Sequence, residues 1–200
     1  MPLALKIGIT VLAFLFLVAV YFMVTNSRAS TEILPYSVLT QDGAFEVREY
    51  PPFHVVRSPM SDREGEGDGA FGRLFQYISG SNQDQQKIAM TAPVLMDRRA
   101  EKSSMEFVIP ASVSNAGGVP QPLDSGLEVV AMPGGKVACH RFKGRQSPEN
   151  EARALKAIRA WLEARQLTAD GEPCFAYYDP PWTPVPLRRN EVWIRIGQVR

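Results

Sequence analysis

The chain has 200 residues, with 22 Lys and Arg against 21 Asp and Glu and an apolar fraction of 45% that is ordinary for a globular protein. That length allows one or two domains with a real core. Residues 1–24 carry one charged side chain, Lys6, so the remainder balances 21 basic against 21 acidic groups and has no electrostatic footprint for nucleic acid.

Ile7 to Val24 is eighteen residues without a charge. This is the lower edge of what spans a bilayer as a helix, and too long for a typical signal-peptide core. Lys6 precedes it and Arg28 follows. Residues 1–24 are read as an uncleaved anchor crossing an inner membrane once through 7–24, with the following domain on the periplasmic side. The alternative is export with cleavage near Ser27-Arg28-Ala29. Residues 25–35 form a tether, and the folded domain spans 36–200 as a monomer.

Phe45-Glu46-Val47-Arg48-Glu49-Tyr50 alternates apolar with charged, as a half-buried strand does. Pro51-Pro52 breaks it, and Phe53-His54-Val55-Val56 resumes extended structure. Ser61 to Gly69 reads as a surface loop. A helix is predicted from Asp68 to Ser79, because Phe71, Leu74, Phe75 and Ile78 fall at i, i+3, i+4 and i+7. Asp68 is its candidate N-cap and Gly80 its stop. Gly72 inside it costs ~1 kcal/mol relative to alanine. It marks either a weak spot or a close approach to the backbone.

Lys87-Ile88-Ala89-Met90-Thr91-Ala92-Pro93-Val94-Leu95 reads as a strand buried on both faces. Pro93 cannot donate to a ladder, so pairing must stop or bulge there. A charged turn, Asp97 to Lys102, leads to a strand from Met105 to Ile109. Ser112 to Asp124 reads as a Gly/Pro-rich linker.

The pattern then recurs. Phe45, Tyr50 and Val55 correspond to Leu127, Met132 and Val137 at a constant offset of 82. A second helix follows Ser147-Pro148-Glu149, with an apolar stripe of Ala152, Leu155, Ile158 and Leu162. Phe175 to Tyr178 runs into Pro180-Pro181 much as Ala89 to Ala92 runs into Pro93. Glu191-Val192-Trp193-Ile194 echoes Glu106-Phe107-Val108-Ile109. An internal duplication with halves at about 36–111 and 125–200 is expected. The fold class is α+β, with two helices on one surface and a curved sheet on the other.

Together Phe45–Tyr50, Lys87–Val94, Phe107-Val108-Ile109-Pro110, Tyr178-Asp179-Pro180-Pro181-Trp182 and Arg188-Arg189-Asn190-Glu191-Val192-Trp193 resemble the SOUL heme-binding protein family. The similarity runs from about Tyr36 to Gly197. The resemblance implies a distorted β-barrel of two pseudo-symmetric ββαββ-like halves with two main helices, an architecture like the gyrase-inhibitor-like effector-binding domains. It implies reversible binding of heme or a related tetrapyrrole, without catalysis, between the first helix and the loop before the last strand. Here that helix offers Phe71, Leu74, Phe75 and Ile78, and the loop offers Pro181, Trp182, Val185, Pro186 and Leu187. Arg188 and Arg189 are candidate partners for propionates; the other reading makes them a solvated flank or a partner of Glu191. Met90 is a further candidate contact.

His54 and His140 are the histidines, and His54 is the candidate iron ligand. Family members with a first-strand histidine carry it where Glu49 stands. Cys139 and His140 point to opposite faces of a strand, which argues against joint metal binding. Cys139 and Cys174 are too few for a disulfide framework, and one bridge between them stays open. The rival readings are a module for other flat hydrophobic molecules, and a hydrolase using Glu106 or Glu191 as general base. Against the second, those glutamates read as charges on the outer face of strands.

Overall fold

A computed structural model describes residues 2–60, 69–98, 103–116 and 118–197. It divides into two compact units, Met1–Glu32 and Ile33–Arg200. The first unit is helix α1 (Leu3–Ala29). Its stretch Leu5–Asn26, 22 residues of mean hydropathy 2.7, is long and apolar enough to cross a membrane.

The second unit is built on a nine-stranded antiparallel sheet. A two-residue strand, β1 (Glu32–Ile33), precedes it. The sheet strands of the first half are β2 (Ser37–Asp42), β3 (Phe45–Tyr50) and β4 (Phe53–Pro59), then β6 (Val94–Asp97) and β7 (Ser104–Val108), with helix α2 (Ala70–Ile78) between β4 and β6. β5 (Thr91–Ala92) pairs with β1 outside this sheet. Helix α3 (Ala111–Asn115) follows. Strands β8 (Glu128–Met132) and β9 (Gly135–Phe142), helix α4 (Pro148–Ala164), and strands β10 (Cys174–Tyr177) and β11 (Asn190–Arg195) complete the chain.

The strand order is β2-β3-β9-β11-β10-β6-β7-β4-β8. Exchanging β3 with β8, β4 with β9, β6 with β10 and β7 with β11 returns the same order reversed, β2 excepted. The two end strands, β2 and β8, do not pair, so the sheet is open where a closed barrel was expected.

Both faces of the sheet are covered. One carries the helices: α2 packs on β4 and β7, and α4 on β9 and β11. Its core includes Val56, Leu74, Tyr77, Phe107, Ile158, Phe175 and Val192. The other face buries Leu34, Tyr50, Val55, Leu95, Val108, Val137, Cys139, Ala176 and Trp193. Alternation along each strand assigns residues to the two faces.

The expected starts of the helices fare unequally. Ser147 accepts from the Asn150 N–H at 3.4 Å, and Pro148 opens α4, as the sequence predicts. Ala152 is exposed, however, and Ala154 takes its place in the buried stripe. The predicted N-cap Asp68 and most of the loop Ser61 to Gly69 lie outside the described residues, as do residues 99–102 of the charged turn. Gly69, with φ +69°, stands before α2. The predicted single strand Lys87–Leu95 is two pieces, because Pro93 has no N–H to pair. Residues 87–90 are irregular, Thr91–Ala92 pairs with β1, and a cis Ala92–Pro93 bond precedes β6. The predicted linker Ser112 to Asp124 begins inside α3, which starts at Ala111.

Candidate functional site

Helix α2 divides its apolar residues between two jobs. Leu74 and Ile78 are buried in the core. Phe71 and Phe75 are 50% and 51% exposed, and their rings stack at 6.0 Å and 12°. Phe71 also meets the edge of Phe107 at 5.3 Å. A Cβ added at Gly72, between them in sequence, would meet nothing within 4 Å. The space beside this helix is therefore open, and no neighbouring backbone requires the glycine. Met90 is half-buried against the helix-side core.

The segment between β10 and β11 is held by its own arginines. Arg188 Nε donates to the Thr183 carbonyl at 2.8 Å, and Nη2 donates to the Pro181 carbonyl. The backbone N–H and Nε of Arg189 donate to Asp179 Oδ2 at 2.6 and 3.2 Å. Its guanidinium also lies 5.4 Å over the Tyr178 ring. These bonds fold residues 179–189 into a compact loop with a 3-10 turn at Val185–Leu187. Trp182, 65% exposed, and Leu187, 42% exposed, project from it, while Val185 is half-buried. Sequence reasoning picked both arginines for their charge and missed their hold on the loop. The nearby Asp179 was the available signal.

His54 lies on β4, half-buried. Three strand spacings separate β4 from β10 in the sheet order, about 14 Å. His140, on β9, stacks on Phe45 at 4.3 Å, and Phe45 stacks on Trp161 of α4 at 5.3 Å. Burial lowers the pKa of His140, and the Ala44 carbonyl opposes that shift. Its Nδ1 is buried without a hydrogen-bond partner.

The glutamates read as outward-facing are buried instead. Glu106 is buried and accepts from Arg57 Nε at 2.7 Å. Glu191, 4% exposed, lies on the face away from the helices. Arg48, 1% exposed, donates to both of its oxygens at 2.7 Å. Trp193 Nε1 and Tyr178 OH donate to the same carboxylate at 2.7 and 2.8 Å. Arg48 also donates to Glu46 at 2.7 Å and lies 4.2 Å over the Tyr36 ring. Burial pushes the Glu191 pKa up, but its bonds to Arg48, Trp193 and Tyr178 outweigh this and hold it below the usual carboxylate value. A carboxylate so held is a poor general base, and the other face of the sheet is filled by this network.

Comparison with known proteins agrees with the fold and decides the family. The SOUL heme-binding protein family model matches residues 31–195. The chain belongs to this family. Human heme-binding protein 2 is 26% identical over 164 residues, covering 77% of this chain and 78% of the human protein. The crystal structure of the EcmrR C-terminal domain is similar with a TM-score of 0.53 at 14% identity, covering 82% of this chain and 99% of that domain. A hydrolase from Listeria innocua gives 0.52 at 14% identity, covering 80% and 94%. At these identities the two structures inform the fold alone. The fold is α+β, a large antiparallel sheet with helices packed on one face, and these structures share it.

Proposed function

We propose that this SOUL-family chain binds heme or a related tetrapyrrole reversibly, as a carrier, buffer or sensor held at a membrane by α1. The stacked, half-exposed Phe71–Phe75 pair carries the reading. A flat apolar ligand needs an exposed flat apolar surface, and a helix surface that served only the core would have no use for two bare phenyl rings. The reading assigns the other side of the ligand to Trp182, Val185 and Leu187 and a further contact to Met90, with Leu74 and Ile78 in the core beneath the aromatic pair. Arg188 and Arg189 fix that loop and place positive charge near the propionates.

The strength of such binding follows from area. Burying ~300 Å² of apolar porphyrin at ~25 cal/mol/Å² yields roughly 7 kcal/mol before ordering costs. That corresponds to affinity around micromolar or weaker, suited to reversible loading. In this reading the chain's part is binding and orientation, with aromatic faces accepting the ring and the arginine-held loop presenting Trp182 and Leu187.

The strand order, symmetric under exchange of the halves, supports an internal duplication. The N-terminal helix, long and apolar enough to cross a membrane, supports a single-pass anchor. The test of function is titration of the full chain in lipid nanodiscs with iron-free protoporphyrin IX, with empty nanodiscs as the blank. Saturable one-to-one quenching of tryptophan is expected. No saturable binding would overturn the reading and move other flat hydrophobic ligands to first place.

A further inference from the structure

The two halves of the sheet domain match except for parts that come together in one place. Strand β2 has no counterpart in the second half. Helix α4 has 17 residues against nine in α2. Under the 82-residue offset α2 corresponds to residues 152–160, so Trp161 and Arg165 belong to a stretch that α2 lacks. Ile196 and Gly197 run on beyond β11, donating to the Lys136 and Thr168 carbonyls at 3.1 and 3.2 Å. At the matching point the first half has turned into α3. These parts border a cavity of about 300 Å³, whose walls include Leu39, Val47, Lys136, Trp161, Leu167 and Ile196.

One side of the cavity is fixed by a shared carboxylate. Trp161 Nε1 and Arg165 Nη2 both donate to Asp42 Oδ2, at 2.9 and 2.6 Å. Asp42 thereby satisfies the indole N–H and balances the charge of Arg165. Val47 and Ile196 are buried and Leu167 is half-buried, which makes the lining apolar. The charge left over is that of Lys136. It is half-buried at the start of β9, and its ammonium has no hydrogen bond or ion pair among the described residues. Glu49 stands opposite it in register on β3 and is exposed, and Asp170 lies beside Gly197. Neither forms an ion pair with it. An ammonium that is partly dehydrated and unpartnered carries a cost that an anion seated beside it offsets.

We propose that this cavity binds a small apolar monocarboxylate, with its apolar body between Leu39, Val47 and Leu167 and its carboxylate on Lys136. Charge complementarity selects the class: a cationic ligand would add to Lys136 and Arg165, and a neutral one would leave Lys136 unpartnered. Size bounds it, because a cavity of this volume holds one or two rings and not a macrocycle. The site is therefore separate from the α2 aromatic pair and does not rest on the tetrapyrrole reading.

The test is a calorimetric titration of the full chain in lipid nanodiscs with naphthalene-2-carboxylate and with its uncharged amide, empty nanodiscs serving as the blank. The wild type is compared with Lys136→Met, Leu39→Trp and Phe71→Ser/Phe75→Ser. Methionine keeps most of the apolar stem of lysine and drops the charge. Leu39 is 46% exposed, so tryptophan there fills the cavity from its rim without entering the core. Saturable one-to-one binding of the carboxylate is expected for the wild type, weakened about tenfold in Lys136→Met. The amide should bind the wild type and Lys136→Met equally weakly. Leu39→Trp should abolish carboxylate binding, and Phe71→Ser/Phe75→Ser should retain it. Protoporphyrin IX binding should be the same in Lys136→Met and Leu39→Trp as in the wild type. Equal affinity of the wild type for carboxylate and amide, or no loss in Lys136→Met, would overturn the proposal, as would no saturable carboxylate binding by the wild type. Loss in Phe71→Ser/Phe75→Ser with retention in Leu39→Trp would place the probe on α2 and overturn it too. Failure of protoporphyrin alone to bind would overturn the tetrapyrrole reading and leave this site standing.

Discussion

Arg48 and Glu191, 143 residues apart in the chain, meet in a two-point ion pair with both contacts at 2.7 Å on the buried face of the sheet away from the helices. Removing one partner strands the other charge, whereas removing both leaves neither charge of the pair unmatched, although Glu46, Trp193 and Tyr178 each lose a hydrogen bond. Arg48→Met should therefore destabilise the chain by about 3–5 kcal/mol. Arg48→Met with Glu191→Leu should cost less than the sum of the two single changes. Chemical unfolding of the four members of this cycle checks the result. Additive losses would mean that the pair is not coupled.

The same carboxylate gives stability a defined pH dependence. Its pKa is depressed in the folded state, so its contribution is present above the unfolded value of about 4.3 and is lost as pH falls through the folded value. Stability from this group should stay level from pH 7 to about 5 and decline only in stronger acid. Unfolding midpoints across that range test the sign, and Glu191→Gln should flatten the acid slope.

Two glycines should respond in opposite directions. A Cβ at Gly72 meets nothing within 4 Å, so Gly72→Ala should stabilise α2 by about 0.5–1 kcal/mol. A Cβ at Gly134 would come within 2.5 Å of the Tyr50 carbonyl oxygen and 2.8 Å of the Pro51 backbone. Gly134→Ala should force the β8–β9 turn away from β3 and lower the melting temperature. Thermal unfolding of both variants is the check.

Cys139 and Cys174 should remain thiols in any compartment. Both pair in register with Trp193, from opposite sides of β11, so two strand spacings of roughly 10 Å separate them. A disulfide needs Cα atoms closer than about 7 Å. Burial also pushes both thiols well above their ordinary pKa. Alkylation of the native chain at pH 8 should be slow, becoming complete for both after unfolding without reductant.

What the sequence made legible was local. The Ser147 cap of α4 and the extended run Phe45–Tyr50 depend on near neighbours, and the structure agrees with them, but the strand is not half-buried as alternation suggested, because Glu46 and Arg48 are buried too. The glutamates were misread because alternation places Glu191 and Val192 on opposite faces without saying that both faces are covered. Arg48 lies too far along the chain for sequence spacing to announce the pair. The aromatic pair of α2 was visible as a helical stripe, but its division into a buried Leu74 and a bare Phe75 depends on where β4 and β7 lie. His140 gave no stronger signal than His54.

The central claim is that a tetrapyrrole lies on the α2 aromatic pair. The most direct test is protoporphyrin IX affinity of the Phe71→Ser/Phe75→Ser double variant against the wild type, both as full chains in lipid nanodiscs. These side chains are half-exposed, so the variant should fold, and circular dichroism verifies that it has. The account expects affinity to fall by at least about tenfold, the loss of roughly 1.4 kcal/mol or more. Unchanged affinity in the folded variant would contradict it.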